Sequence, residues 1–566
     1  MRRLKRAAIL AVSAALAIGI LSGCGASHQQ SSGLNLSVCL GGGLTTLDPI
    51  RATTEEDQTV IEHLYENLMR ASADNDGGTT VANGIAKSYN TDKNYDGTVT
   101  YTFKLRSAKW SDGTAVTPAD FVYAWQRLAD PVSASPNAQI LSIVAGFDEV
   151  QSTGDVAKLQ VEAKNDSTLC VTLTGDCPWF LTDVCTAAAT MPLRKDVVQT
   201  LKAGAIKSNK AASEAGQEAT ATWSSDPMRL VTNGQYCTSS YQVGNRLVLA
   251  TNGKYTGTAS GPDTVTFRFA ETAEEAWQLY DAKEVDFISP LPEEQISKLA
   301  EDEDWTPTTE LNTGVLLFNT ATDPFSDPQI RNALSLAVDR TALSGELNAA
   351  ARPATGLVPY GVPAAEDEDF RTAGGELIDC NPENYAASCD AARSLLEQSS
   401  YDRGEFSAVE LLYPAGNADA ESAAKAVVAA WNTQLNISVQ TREVEQQELD
   451  DALSAGTYTL ALVELKGYAN DAESFLSQWE SSSTQNAVRY YNSAYDTLLT
   501  VIDSASDSTA RLGCLHDAES LLLSDCPLMP LYFPGTAWKL REGLTGVCRD
   551  GRGWFSFETV AKTTEG

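Results

Sequence analysis

The chain has 566 residues, 43% apolar and 20% charged, an ordinary globular balance with room for two or three domains. Its net charge is −34, from 75 acids against 41 bases. A surface that acidic repels phosphate backbones and anionic headgroups, which excludes nucleic acid as a partner.

The chain opens on Met-Arg-Arg-Leu-Lys-Arg, followed by an apolar run from Ala7 to Ile20 and then Leu21-Ser22-Gly23-Cys24. A basic start, a short apolar stretch and small residues before a cysteine make residues 1–24 a secretory leader with a lipobox. The apolar run is too short and too sharply ended for a stable membrane span. In this reading Cys24 becomes the first residue and carries lipid, and two chains anchor where one is marginal. Residues 25–34 are then a flexible tether. An ordinary secreted protein with a chance cysteine is the alternative.

"TVIEHLYENLMR" (59–70) reads as a helix with Val60, Leu64 and Leu68 in line. In "YTFKLRSAKWSDGTAVTPADFVYAWQRL" (101–128), Tyr101, Phe103 and Leu105 alternate with polar residues, a half-buried strand. Trp110-Ser111-Asp112-Gly113 is a turn. Thr117, Pro118 and Asp120 are an N-cap, a first helical residue and a capping acid, and Phe121, Ala124, Trp125 and Leu128 form one apolar face. "TLCVTLT" (168–174) is a strand, and "LKAGAIKSNKAASEAGQEATATW" (201–223) is helical or loosely ordered. "NRLVLAT" and "DTVTFRFA" (263–270) are strands, and "AEEAWQLYDAKEVDFI" runs from helix into strand. "DPQIRNALSLAVDRTAL" (327–343) is a helix with Ile330, Leu334 and Val338 on one face. "DAARSLLEQ" and "AAKAVVAAWNTQLN" are helices, each followed by a strand. "YTLALVELKGY" is a strand with Tyr458, Leu460, Leu462 and Glu464 on one face and Ala461, Val463 and Leu465 on the other. "ARLGCLHDAESLLLSD" (510–525) is the last long helix. Strands and helices alternate throughout, which makes the class α/β or α+β.

The chain has three histidines, His28, His63 and His516, too few and too scattered for a hydrolytic triad. No zinc pattern, G-x-S-x-G, P-loop or G-x-G-x-x-G occurs. Plentiful carboxylates leave a two-carboxylate glycosidase compatible with composition, without a signal for it. Beyond Cys24, ten cysteines remain and none makes a C-x-x-C pair. Most sit in apolar stretches as small buried thiols. Export permits disulfides, and Cys380 with Cys389 is the best candidate for a bridge.

The stretch 101–128 resembles the signature region of the family 5 extracellular solute-binding proteins, most of all their oligopeptide-binding branch. "LDP" (47–49), "LYENLM" (64–69), "TNGQY" (232–236), "FSDPQIRNALSLAVDR" (325–340) and "AESLLLSDCPLMPLYF" (518–533) are similar to further motifs of that family, in the family's order. The resemblance implies a two-lobed periplasmic-binding-protein-like α/β fold of the class II type, closing by a hinge around a ligand cleft. It implies three domains: residues 35–65, 191–310 and 530–566 as domain I, 66–190 as domain II and 311–529 as domain III. It further implies a membrane-anchored, extracytoplasmic, monomeric receptor. Such a receptor captures oligopeptides or a related organic solute and delivers them to an ABC permease and ATPase. No cofactor, metal or catalytic residue is implied. An enzyme or a non-transport sensor on the same scaffold is the alternative, because fold does not fix function. Trp110 and Trp125 are expected as core anchors.

One departure from the family pattern bears on the ligand. Peptide-binding members often carry W-x-A-D-Y-x-x-P-x-x-F-L, whose aspartate pairs with the ligand's α-amino group. Here the segment is "LKGYANDAESFL" (465–476), with Leu465 in the place of the tryptophan and Tyr468 in the place of the aspartate. A phenol offers a hydrogen bond rather than a charge. Glu464 is the nearest substitute acid, with a plain surface carboxylate as its alternative. Asn470 and Glu473 read as a helix-capping pair. Trp179 and Phe180 are expected either in the apolar cleft wall or in the core. A ligand with a blocked or absent amine is therefore expected to bind about as well as one with a free amine.

Overall fold

The strand-turn-helix read between Tyr101 and Leu128 forms as written. Val99–Leu105 alternates buried and partly exposed residues along its length. At the turn, the Thr114 amide and hydroxyl donate to Asp112 Oδ1, and Trp110 is fully buried. Pro118–Ala129 is a helix with a complete Thr117/Asp120 capping box, and Phe121, Ala124, Trp125 and Leu128 are its buried face. Trp125 donates from Nε1 to the Thr190 carbonyl at 2.9 Å. Both tryptophans are core anchors.

The computed structural model describes residues 32–73, 79–214, 221–301, 307–364, 368–399, 406, 408–505 and 507–563. The leader with Cys24, and the tether as far as residue 31, lie outside the described residues. No described helix is long and apolar enough to cross a membrane.

Three larger sheets organise the chain. The first runs Lys539–Leu540, Phe287–Ile288, Asn35–Cys39, Thr264–Arg268, Arg246–Thr251, Tyr236–Gln242. The second is antiparallel: Ala86–Lys93, Val99–Leu105, Thr168–Leu173, Val161–Asn165. One continuous apolar core joins these two sheets into one lobe. The C-terminal segment completes that core: Phe555, Phe557 and Val560 are buried in it, and the Phe557 amide donates to His63 Nε2 at 3.0 Å.

The third sheet builds the other lobe: Arg352–Pro353, Leu528–Phe533, Asn312–Phe318, Leu460–Lys466, Glu410–Pro414, Gln440–Val444. All seven residues of Asn312–Phe318 are buried, because helices cover both faces. Leu316 and Phe318 pack with the helices Pro328–Leu336, Tyr385–Gln398 and Ala418–Leu435. Val315 and Leu317 pack on the opposite face with Ser493–Ser504 and Ser508–Asp525. The chain crosses to this lobe through Thr308–Thr309 and back through Gly535–Thr536, and these two crossings pair antiparallel as a short ribbon. The strand Leu528–Phe533 stays in the second lobe's sheet, past the boundary expected at 529/530.

The family-like motifs hold one another in place. Arg331 donates to the carbonyls of Cys526 (2.8 Å) and Asp525 (2.6 Å), and Arg340 to that of Pro530 (2.6 Å). Thus the motif at 325–340 clamps the one at 518–533. Asn233 exchanges hydrogen bonds with the Glu66 backbone, and Asp48 receives Arg127 and Trp223.

Several expectations shift. The first helix is Glu55–Leu64 rather than 59–70: Thr54 accepts from the Asp57 amide and starts it, and Leu68 enters the core beyond its end. The helix expected over 327–343 stops at Leu336 and restarts as Arg340–Ser344, because Asp339 caps the Ala342 amide. Tyr458 precedes its strand and packs with Ala461 and Leu465, opposite Leu460 and Leu462. Asn470 and Glu473 do not cap: Asp471 accepts from the Glu473 amide, while the Glu473 carboxylate pairs with Arg511. The bridge between Cys380 and Cys389 is not formed. Cys380 and Cys389 are both free thiols, and Cys380 donates to the Ala354 carbonyl.

Candidate ligand-binding cleft

The strand Leu460–Lys466 ends at the lobe boundary. Gly467 turns the chain there, since a Cβ would lie 2.6 Å from both Ser474 Oγ and the Phe475 ring. The turn sends Tyr468 across to the first lobe. Its ring meets Trp179 edge-on at 5.8 Å, and its hydroxyl sits 3.0 Å from Ser477 Oγ. Burial pushes the Tyr468 phenol well above its ordinary range, so it stays neutral. Ala469 is buried in the first lobe's core, and the Asn470 amide donates to Asp183 Oδ1 at 2.7 Å. Burial raises the Asp183 carboxyl, against the pull of Arg552. Arg552 in turn donates to the Asp183 carbonyl and Thr186 Oγ1 and pairs with Asp550. The two lobes are in contact through this segment.

Between them lies a cavity of ≈ 610 Å³, inside the roughly 300–1,000 Å³ usual for small-ligand sites. The first lobe supplies the start of the helix Glu55–Leu64, a loop around Asn137, and the C-terminal residues Arg549, Arg552 and Trp554. The crossing segment and second lobe supply Glu310, Asn312, Lys466 and Tyr468. Burial pushes the Glu55 carboxyl up to about 8, opposed by Arg549 and assisted by Glu56 and Glu310. Burial also raises Glu310, with Arg549 and Lys466 opposing. Arg549 donates to the Thr309 carbonyl at 2.9 Å, beside the paired crossings. Neither described histidine lines this cavity.

The expected site residues separate. Tyr468 lines the cavity, and Trp179 backs it from the other lobe. Phe180 is not in the wall: it is fully buried against Tyr101 at 4.6 Å and near Trp125, because its short helix turns it inward. Leu465 is buried in the second lobe's core, since strand alternation puts it opposite Glu464. Glu464 lies outside the wall and accepts Asn312 Nδ2 (2.8 Å) and Asn417 Nδ2 (2.9 Å). Sequence reasoning missed Glu55, Glu310, Asn312 and Arg549. The signal available was "RDGRGW" (549–554), two arginines around a glycine in an acidic chain.

The family described as "Bacterial extracellular solute-binding proteins, family 5 Middle" matches residues 80–487. The probable deoxycholate-binding periplasmic protein YgiS of Escherichia coli is 29% identical over 495 residues, covering 86% of each chain. The periplasmic oligopeptide-binding protein OppA of the same organism is 28% identical over 536 residues, 93% of this chain and 91% of the relative. The solved structure of the Escherichia coli murein tripeptide binding protein MppA superposes with a TM-score of 0.73 at 26% identity, covering 94% of this chain and 99% of that one. With two lobes meeting around a cavity and a match over most of its length, the chain belongs to the family 5 bacterial extracellular solute-binding proteins.

Proposed function

We propose that the protein captures short peptides in the cavity between its lobes and delivers them to an ABC permease and its ATPase. The observation that carries this reading is the mixed-charge cavity of ≈ 610 Å³ walled by both lobes. The oligopeptide- and murein tripeptide-binding relatives support it. Main-chain groups of a peptide can pair with backbone at the ends of the strands that reach the cleft. The three-domain division belongs to this reading, with lobe closure as its motion.

Ligand shifts an open-closed equilibrium only as far as it prefers the closed form. A binding tripeptide is therefore expected to shrink the radius of gyration in small-angle scattering. It should also raise stability, by about 2.7 kcal/mol at a hundredfold excess over Kd. Tight binding with neither change would argue against a closing cleft.

The reading also includes attachment to the outer face of the cell membrane through lipid on Cys24. Replacing Cys24 with alanine is expected to move the protein from the membrane fraction to the soluble one, or to leave the precursor uncleaved. Unchanged membrane association of that variant, on fractionation and blotting, would remove the lipid anchor from the account.

A further inference from the structure

Two acceptors in the cavity wall lack donors. Glu55 Oε1 and Asn312 Oδ1 are both shut off from solvent, and neither has a hydrogen-bond partner among the described residues. Asn312 is only 4% exposed. Its orientation is set from behind: Glu464 accepts its Nδ2 at 2.8 Å and is itself fixed by Asn417. A carboxylate takes only donors, so the amide nitrogen must face Glu464 and the amide oxygen must face the other way. Ser289 stands beside the Glu55 carboxyl and lowers it, and its own hydroxyl has no other partner among the described residues. Buried polar groups are rarely left unpaired, and an orphan pair in one cavity calls for a partner that brings donors.

The charge of the surroundings narrows the partner. Glu310, two residues before Asn312, adds a second carboxylate to the same wall. Arg549 stands near both acids and spends one nitrogen on the Thr309 carbonyl, and Lys466 is exposed. Neither cation donates to Glu55 Oε1 or Asn312 Oδ1, so these two acceptors call for a compact group that brings several N–H donors and a positive charge. An ammonium has three donors and no acceptor.

We propose that Glu55 and Asn312, approaching from opposite lobes with Glu310 behind, anchor the primary ammonium of the ligand. Glu464 acts as a positioning residue that aims Asn312. This rests on the receptor reading above and sharpens it: the site selects solutes with a free amine, such as a peptide with an unblocked N-terminus. It reverses the expectation drawn from Tyr468, because the missing aspartate is replaced from elsewhere in the cleft. Since the two acceptors belong to different lobes, the amine also ties the lobes together.

The test uses two tripeptide pools, one with free and one with acetylated N-termini, applied to the full chain and read by mass spectrometry of retained peptides and by calorimetry. The free pool is expected to bind at least tenfold more tightly. Glu55→Gln and Asn312→Leu should each remove most of that preference, with circular dichroism and an unshifted thermal midpoint showing that the variants are folded. Glu464→Gln should weaken the preference less, by releasing the Asn312 amide to rotate. Equal binding of the two pools, or a preference that survives Glu55→Gln, overturns the anchor. A second probe separates this from failure of the peptide reading: n-alkylammonium ions against the matching alcohols, followed by thermal shift. If neither pool binds but alkylammonium alone stabilises the wild type and not Glu55→Gln, peptides are the wrong ligand and the anchor stands. If alkylammonium has no effect either, both fall.

Discussion

Replacing Arg371 with methionine is expected to destabilise the second lobe by about 3–5 kcal/mol, the range for stranding one partner of a buried ion pair. Arg371 and Glu519 are 1% and 0% exposed. The guanidinium grips both carboxylate oxygens, at 2.6 and 2.7 Å. The same carboxylate accepts the Leu357 and Val358 amides at 2.7 and 2.9 Å. Gly356 makes room for the arginine, since a Cβ there would fall 1.5 Å from Nη1. Removing Arg371 leaves a negative charge in the core with only two amides to hold it. Replacing both partners by apolar residues should recover part of the loss, because the penalty lies in the unpaired charge. Urea unfolding followed by circular dichroism measures both variants. A loss below about 1 kcal/mol for the single variant, the range of an exposed pair, would show that water reaches Glu519.

Raising the pH from 6.5 to 8 is expected to destabilise the ligand-free protein. Burial pushes Glu55 and Glu62 up to about 8 and Glu558 up to about 7. A carboxyl raised in the folded state holds its proton more tightly there than in the unfolded chain. Its contribution is fully present below the ordinary carboxylate range and is lost as pH rises through the folded value. Each proton retained only by the folded state costs about 1.4 kcal/mol per pH unit across that window. His63 works in the opposite direction, since burial lowers it to about 4, but only about 0.4 kcal/mol of its effect falls above pH 6.5. Thermal midpoints across this window should therefore fall, and Glu62→Gln combined with Glu558→Gln should flatten the curve. Midpoints that stay level or rise would mean these carboxyls are already ionised in the folded protein.

The scaffold was legible where local chemistry and long-range packing agree. Thr117, Pro118 and Asp120 start a helix by themselves, and Phe121 and Trp125 then need only a core to face. Arg331 and Arg340 lie in a motif visible in the sequence, though their carbonyl partners near 525–530 are not. The site was less legible for the same physical reason. An acid in a helix's first turn, such as Glu55, is adequately explained by the helix dipole. Nothing local says that one of its oxygens ends up sealed and unpaired. Asn312 reads as one more residue of a buried strand, and only its pairing with Lys466 brings it to the cleft. Glu464 was singled out as a direct ligand contact, whereas its place is behind Asn312. Tyr468 showed that the usual acid is gone, but an absence at one position carries no information about where a replacement stands.

The return of the chain's end to the first lobe sets an order of assembly. Asn35–Cys39 is an inner strand of the first sheet, yet that sheet's far edge is Lys539–Leu540. Phe555, Phe557 and Val560 fill the core around a helix that ends at Leu64. Contacts that span nearly the whole sequence are slow to form, because the loop they close is long. The second lobe, by contrast, is continuous in sequence from Asn312 to Phe533. As the chain emerges N-terminus first, the lobe begun at Asn35 keeps apolar surface uncovered until Lys539–Leu540 and Phe555 to Val560 have been made. The second lobe can meanwhile consolidate as an insert whose two ends already lie side by side.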